Sequence, residues 1–281
     1  MDDFIEHTYS AQDGLSLYYR TYGPQLSYHL PVLCLPGLTR NADDFHDLAE
    51  RLAQSRQVIT LDYRGRGRSA YDPDPTNYQP RTYLEDIRHL LVIVGVHRVI
   101  VVGTSMGGLL AMGLGVIAPS TLAGVILNDI GPGFGAGLRS ILAYAGTDRP
   151  MPNWESATQE FRRVLKNTVF QTDDDMDKAI RATWREASDG VLHVNWDIRL
   201  VQPLLNRESL PDLWKLFSCL RRVPVLALRG ELSDILDRNT LHRMAKEHGG
   251  LTQIEVKQTG HAPSLNEPEA VKAIDAFLEP F

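Results

Sequence analysis

A serine, a histidine and an aspartate carry the chemistry this sequence can do. Ser105 stands in Gly103-Thr104-Ser105-Met106-Gly107, between the β-branched run 99–102 and the apolar, small-residue stretch 108–116. A buried strand, a glycine turn with a central serine and a helix make a nucleophile elbow, G-x-S-x-G. The turn is so tight that the neighbours of the serine must be small. It leaves the hydroxyl at a helix N-terminus, where partial positive charge favours a developing anion. An ordinary strand–helix turn with a capping serine has similar letters, but the strand-and-helix context favours the elbow.

A serine hydroxyl needs a base beside it at neutral pH, and the base needs an orienting acid. Nine histidines are available. Position selects His261, in a glycine-flanked loop between a terminal strand and a terminal helix, at the carboxyl edge where open α/β sheets bind ligands. Asp234 lies just past the carboxyl end of the strand expected at 223–228, on the same edge. The order Ser, Asp, His along the chain is the one expected of the elbow. Two other acids compete with Asp234. Glu231 follows its strand too closely to reach far, and Asp129 is read as holding the entry to an insert.

The elements that must position these residues follow from pattern. Residues 4–9 and 14–22 read as strands joined at Asp13-Gly14, a hairpin signal. Short apolar strands are expected at 32–35, 58–61, 99–102, 125–127, 223–228 and 251–256, and amphipathic helices at 42–53, 82–94, 239–247 and 268–278. Strands alternating with helices predict an α/β fold with a mostly parallel, doubly wound sheet. After Gly131 the pattern changes. Residues 154–214 read as helical with no convincing strand, and all four tryptophans (Trp154, Trp184, Trp196, Trp214) fall there. A helical cap after the sixth strand divides the chain into core 1–131, insert 132–213 and core 214–281. The tryptophans are read as packing between helices, with one or two aromatics of the insert over a pocket.

Composition limits the possibilities. The 281 residues are 43% hydrophobic, enough for a large core. The net charge of -6 argues against nucleic acid as a partner. No run of about 18 apolar residues suggests a membrane span, and the N-terminus lacks the apolar region of a signal peptide. Cys34 and Cys219 are far apart, have no metal spacing and are both read as buried thiols. These features point to the reducing cytoplasm. The run Asp62-Tyr63-Arg64-Gly65-Arg66-Gly67-Arg68-Ser69 lacks the G-x-x-x-x-G-K-[ST] of a phosphate cradle. It reads as a turn braced by Asp62 and its arginines.

Over almost its whole length the chain resembles an α/β-hydrolase of the lidded, single-domain kind. The resemblance rests on Leu35-Pro36-Gly37-Leu38, the run from Asp62 to Ser69, the elbow from Gly103 to Gly108, the stretch from Gly230 to Asp234, and Gly260-His261. It implies a serine hydrolase with Ser105, Asp234 and His261 as its triad, and an oxyanion hole of the Leu38 and Met106 backbone N–H groups. Two features depart from the family's usual pattern. Pro36 stands where histidine is common, and proline has no N–H to donate. Asp234 lies one residue further from Gly230 than is usual.

The expected reaction is acyl transfer to water through an acyl-enzyme, on a small carboxylic ester or lactone, with no metal or nucleotide required. Serine at the elbow argues against the dehalogenase and epoxide-hydrolase branches, which use aspartate there. The same triad also serves carbon–carbon bond hydrolases of ring-cleavage diketones, which usually carry asparagine where this chain has Thr104. It serves cofactor-free perhydrolases and oxygenases too, and the fold hosts small-molecule receptors.

Overall fold

The computed structural model describes residues 4–133, 135–164, 172–205 and 212–281. In chain order it contains β1 (Phe4–Ser10), β2 (Ser16–Tyr22), β3 (Val32–Leu35), α1 (His46–Leu52), β4 (Val58–Asp62), α2 (Pro80–Ile93), β5 (Val99–Thr104), α3 (Met106–Ile117) and β6 (Leu122–Asn128). Between the sixth strand and the next strand of the main sheet come α4 (Leu138–Ala145), α5 (Trp154–Val164), α6 (Asp173–Thr183), β7 (Trp184–Glu186), β8 (Leu192–Val194), α7 (Gln202–Leu205) and α8 (Leu213–Ser218). The core closes with β9 (Val225–Gly230), α9 (Arg238–His248), β10 (Thr252–Val256) and α10 (Pro268–Leu278).

Eight strands form one sheet in the order β1-β2-β4-β3-β5-β6-β9-β10. The β1–β2 and β2–β4 pairs are antiparallel, and the rest are parallel. The period-2 geometry of a strand sorts its side chains between the two faces. Leu33, Leu35, Val101, Leu127 and Ala227 join the core under α2, α3 and α9. Val32, Cys34, Val102, Ile126 and Leu228 join the core under α1 and α10. Each central strand is buried on both sides and so reads as an unbroken apolar run. The mostly parallel α/β fold expected from sequence is the fold found.

Two local readings change. The stretch 154–214 is not strandless, because β7 and β8 pair antiparallel there, with Trp184 opposite Val194. Three-residue strands are too short to show alternation, but Asp189-Gly190 between them is a hairpin signal. Residues 165–171 and 206–211 of that stretch, and Phe134 of the glycine-rich run 133–137, lie outside the described residues. Cys219 is exposed, whereas Cys34 is buried; at the end of α8, Phe217 and Leu220 turn inward and leave Cys219 facing out. The tryptophans pack as expected: Trp184 and Trp196 are buried, and their indole N–H groups donate to the carbonyls of Arg149 and Ala145.

The turn after β4 is braced as its sequence suggests. Asp62 accepts from the Ala42 and Arg68 amides, both at 2.7 Å. Arg64 is buried and bonded to Asp13, Asp72 and Asp86. Gly67 has φ +54°, and a Cβ there would lie 2.2 Å from Asp62 Oδ2.

Two outcomes follow from this turn. Gly67→Ala should lower stability by about 2 kcal/mol or more, through backbone strain plus the clash, as a lower urea midpoint at unchanged m-value. Burial pushes the Asp62 carboxyl up to about 6. The folded chain then holds this proton more tightly than the unfolded chain, where the ordinary value applies. The group's stabilising contribution is complete at acid pH and is lost as pH rises through about 6, a change of about 3 kcal/mol. Asp62→Asn cannot ionise, so urea titrations at pH 4.5 and 7 should show a smaller gap from wild type at pH 7. Equal gaps at both pH values would count against a buried, titrating Asp62.

Candidate active site

Ser105 connects β5 to α3 with φ +53° and ψ −116°, a conformation that an L-residue holds only under constraint. The constraint is close packing. A Cβ on Gly103 would lie 2.6 Å from the Gly107 carbonyl, and one on Gly107 would lie 2.0 Å from the Leu35 carbonyl oxygen. The glycines let α3 sit directly against β3 and β5, and the serine is pushed out above the sheet edge.

His261 follows β10. Its loop is fixed by Asn128, whose Nδ2 donates to the Pro263 carbonyl at 2.9 Å and to Thr104 Oγ1 at 3.1 Å. His261 Nε2 lies 3.0 Å from Ser105 Oγ. Its Nδ1 lies 2.7 Å from Oδ2 of Asp129, not of Asp234. This corrects the expected partner. A carboxylate only accepts, so Nδ1 carries the proton and Nε2 of the neutral ring presents its lone pair to the serine hydroxyl.

The two aspartates have exchanged the places expected for them. Asp129 directly follows β6 with φ +53°, and it is fully buried. That backbone conformation is one that Asp tolerates better than most residues. It is matched by a carboxylate that meets the neighbouring strand end: Oδ1 accepts from the Gly230 amide at 2.9 Å and Oδ2 from Ser233 Oγ at 2.5 Å. Ser233 Oγ accepts the Ile235 and Leu236 amides, both at 3.1 Å, so its single proton is directed at Asp129. Asp234 instead holds the start of the insert. Its carbonyl accepts from the Gly137 amide at 3.2 Å, and its carboxylate lies against Gly137, where a Cβ would be 2.5 Å from Oδ2. Glu231 points elsewhere and accepts from the Gln258 amide.

Ser105, His261 and Asp234 open onto one cavity of about 600 Å³. Its wall includes Leu38, Arg40, Tyr144 and Phe161. Among the described residues, the aromatics that the insert brings to the cavity are a tyrosine and a phenylalanine rather than a tryptophan. The Leu38 and Met106 amides make no hydrogen bond to another described residue. Arg40 is engaged by Asp44 through Nε and Nη2 and by Thr183 through Nη1. A hydroxyl, an imidazole and a buried carboxylate in line can move a proton from oxygen to nitrogen while the oxygen attacks a carbonyl. Asp129 was legible as a sheet-edge acid, but nothing in the sequence ranks it above Asp234. Ser233 carries no sequence signal of its own.

Comparison with known proteins agrees with this architecture. The model described as "Alpha/beta hydrolase family" matches residues 32–274. A 3-hydroxybutyrate-oligomer hydrolase of Cupriavidus necator is 29% identical over 267 residues, 88% of this chain and 87% of that protein. An esterase of Mycobacterium tuberculosis is 26% identical over 85% of this chain and 79% of its own. The crystal structure of an alpha/beta hydrolase from Novosphingobium aromaticivorans superposes with a TM-score of 0.93, at 37% identity and 100% coverage of both chains. No helix among the described residues is long and apolar enough to cross a membrane. With a family match spanning most of its length and a sheet, elbow and histidine loop to fit, the chain belongs to the alpha/beta hydrolase family and is an enzyme of hydrolase type.

Proposed function

We propose that the protein is a serine hydrolase that cleaves small carboxylic esters or lactones through an acyl-enzyme, with Ser105 as nucleophile, His261 as general base and acid, and Asp129 as orienting carboxylate. The observation that carries this reading is the line of contacts Ser105 Oγ–His261 Nε2, 3.0 Å, and His261 Nδ1–Asp129 Oδ2, 2.7 Å, at one end of the cavity. Ser105 attacks the acyl carbon as its proton passes to His261 Nε2. Asp129 holds the ring and stabilises the imidazolium. The Leu38 and Met106 amides receive the oxyanion, each worth about 3 kcal/mol if removed. The imidazolium then protonates the leaving alcohol, and a water activated by the same ring releases the acid. Residues 132–213 act as a cap over the core halves 1–131 and 214–281, and Tyr144 and Phe161 bound the acyl or alcohol group. The names of two relatives, a 3-hydroxybutyrate-oligomer hydrolase and an esterase, support this class of reaction. Two free, separated cysteines support a cytoplasmic location, which cell fractionation would test.

A panel of p-nitrophenyl esters, lactones and ring-cleavage diketones tests the reaction class. Ester or lactone turnover should be found, and Ser105→Ala should abolish it along with labelling by a fluorophosphonate probe. Diketone cleavage without ester turnover would move the reading to carbon–carbon hydrolysis. The acid is tested separately. Asp129→Asn should fold and lose up to about 10⁴-fold in kcat, because the wrong imidazole tautomer is favoured. Asp234→Asn should keep kcat within about tenfold. The reverse pattern in circular-dichroism-verified variants would return the role to Asp234.

A further inference from the structure

Behind the proposed oxyanion hole lies an arginine with no counterion. Arg66 is fully buried, and no carboxylate among the described residues pairs with it. Two residues earlier, Arg64 is buried too, but between three aspartates. Burying a cation is costly unless something replaces its water and its counterion. Around Arg66 that replacement consists of carbonyls and rings. Nε donates to the Leu38 carbonyl at 2.8 Å, and Nη1 donates to the Arg64 carbonyl at 2.8 Å and to the Tyr83 hydroxyl at 2.7 Å. The faces of Tyr63, Tyr78 and Tyr83 lie 5.6, 5.9 and 4.8 Å from the guanidinium carbon. Nη2 has no partner among the described residues.

The carbonyl that Arg66 holds belongs to Leu38, which lines the cavity and whose amide has no partner among the described residues. Tyr63 also donates to the Pro36 carbonyl, at 3.3 Å. Carbonyls on both sides of the Gly37–Leu38 peptide are therefore tied to one cluster, and the direction of the Leu38 N–H is set by it. Tyrosine faces and carbonyls offset the charge only in part. A positive potential remains behind the segment that would receive an anion, shielded from bulk solvent by burial. The same turn is gripped from the insert: Gly67 donates to the Asn195 carbonyl at 3.0 Å, and Asp197 donates to the Gly65 carbonyl at 2.7 Å.

We propose that Arg66 is a positioning residue of the oxyanion hole: its unpaired guanidinium fixes Leu38 from behind and lends positive potential to the tetrahedral intermediate. The proposal rests on the acyl-transfer reading above. It makes the arginine turn part of the reaction machinery rather than only a brace.

The test compares Arg66→Met and Arg66→Lys with wild type on one p-nitrophenyl ester and on an aryl trifluoromethyl ketone, which Ser105 would convert to a hemiketal. Arg66→Met should lower kcat by about tenfold to a hundredfold, below the loss for a direct donor, with KM within about threefold. Its affinity for the ketone should fall in parallel with kcat/KM. Fluorine NMR of the adduct against pH should show its oxygen ionising about one unit higher than in wild type, a change that a packing defect would not produce. Arg66→Lys keeps the charge and should fall between. If Arg66→Met does not fold, Tyr83→Phe removes one guanidinium bond and should show a smaller change of the same sign. A folded Arg66→Met with wild-type kcat and an unmoved adduct titration, or an unmoved titration in Tyr83→Phe when Arg66→Met cannot be made, overturns the role of Arg66. Failure of wild type itself to turn over esters or form the adduct overturns the reading of Ser105 instead, and this proposal with it.

Discussion

The hydrogen bond between Asp129 and His261 is the contact on which the rest of the site depends. Asp129 leaves the end of β6, His261 the loop after β10, and Ser233 and Gly230, which also bond the carboxylate, the end of β9. One fully buried carboxylate therefore draws three strand ends together. Burying it without partners would cost several kcal/mol. With three donors converging on it, the same burial makes its geometry specific. The imidazole is held in one tautomer, and the lone pair it needs for Ser105 falls on the only nitrogen left free.

Ser105 meets this arrangement from the other side through strain. A non-glycine residue at φ +53° costs roughly 1–3 kcal/mol. The close approach of α3 to β3, possible only because residues 103 and 107 have no Cβ, keeps the turn from relaxing. The hydroxyl is thus placed by backbone packing and the imidazole by a hydrogen bond. Two independent devices converge at 3.0 Å.

How much of this could be read from the sequence depends on how local each signal is. The sheet was legible because a strand buried on both faces must be an apolar run, and 99–102 and 125–127 are such runs. The elbow was legible because its geometry demands glycine at fixed offsets. The loop of His261 was legible because no other histidine of the sequence falls between the last expected strand and the last expected helix. The hairpin at 184–194 was not, because three residues a side carry no usable period, although Asp189-Gly190 marked the turn. The acid was not either. Asp129 and Asp234 each follow a central strand at the carboxyl edge, with β6 and β9 adjacent in the sheet. Which of them reaches His261 depends on φ at Asp129 and on Ser233, whose hydroxyl accepts from two amides and donates its hydrogen bond to Asp129. Neither is a property of the local sequence.

The same distinction separates the arginines of the turn after β4. Arg64 and Arg66 sit two residues apart in one turn, each followed by a glycine, and both are removed from bulk solvent. Only the fold gives one of them three carboxylates and the other three aromatic faces. A carboxylate neutralises a cation, and an aromatic face solvates it without cancelling its field. Arg64 consequently acts as a mechanical tie between Asp13, Asp72 and Asp86. In the proposed acyl-transfer reading, Arg66 keeps a usable charge, directed by its bond to Leu38 toward the place where negative charge would develop and vanish in each cycle. A field of that kind is effective only if its source cannot rotate away. Asn195 and Asp197 bond the turn through Gly67 and Gly65, so the stretch of chain that carries Tyr144 and Phe161 to the cavity wall also holds the turn of Arg66 in place.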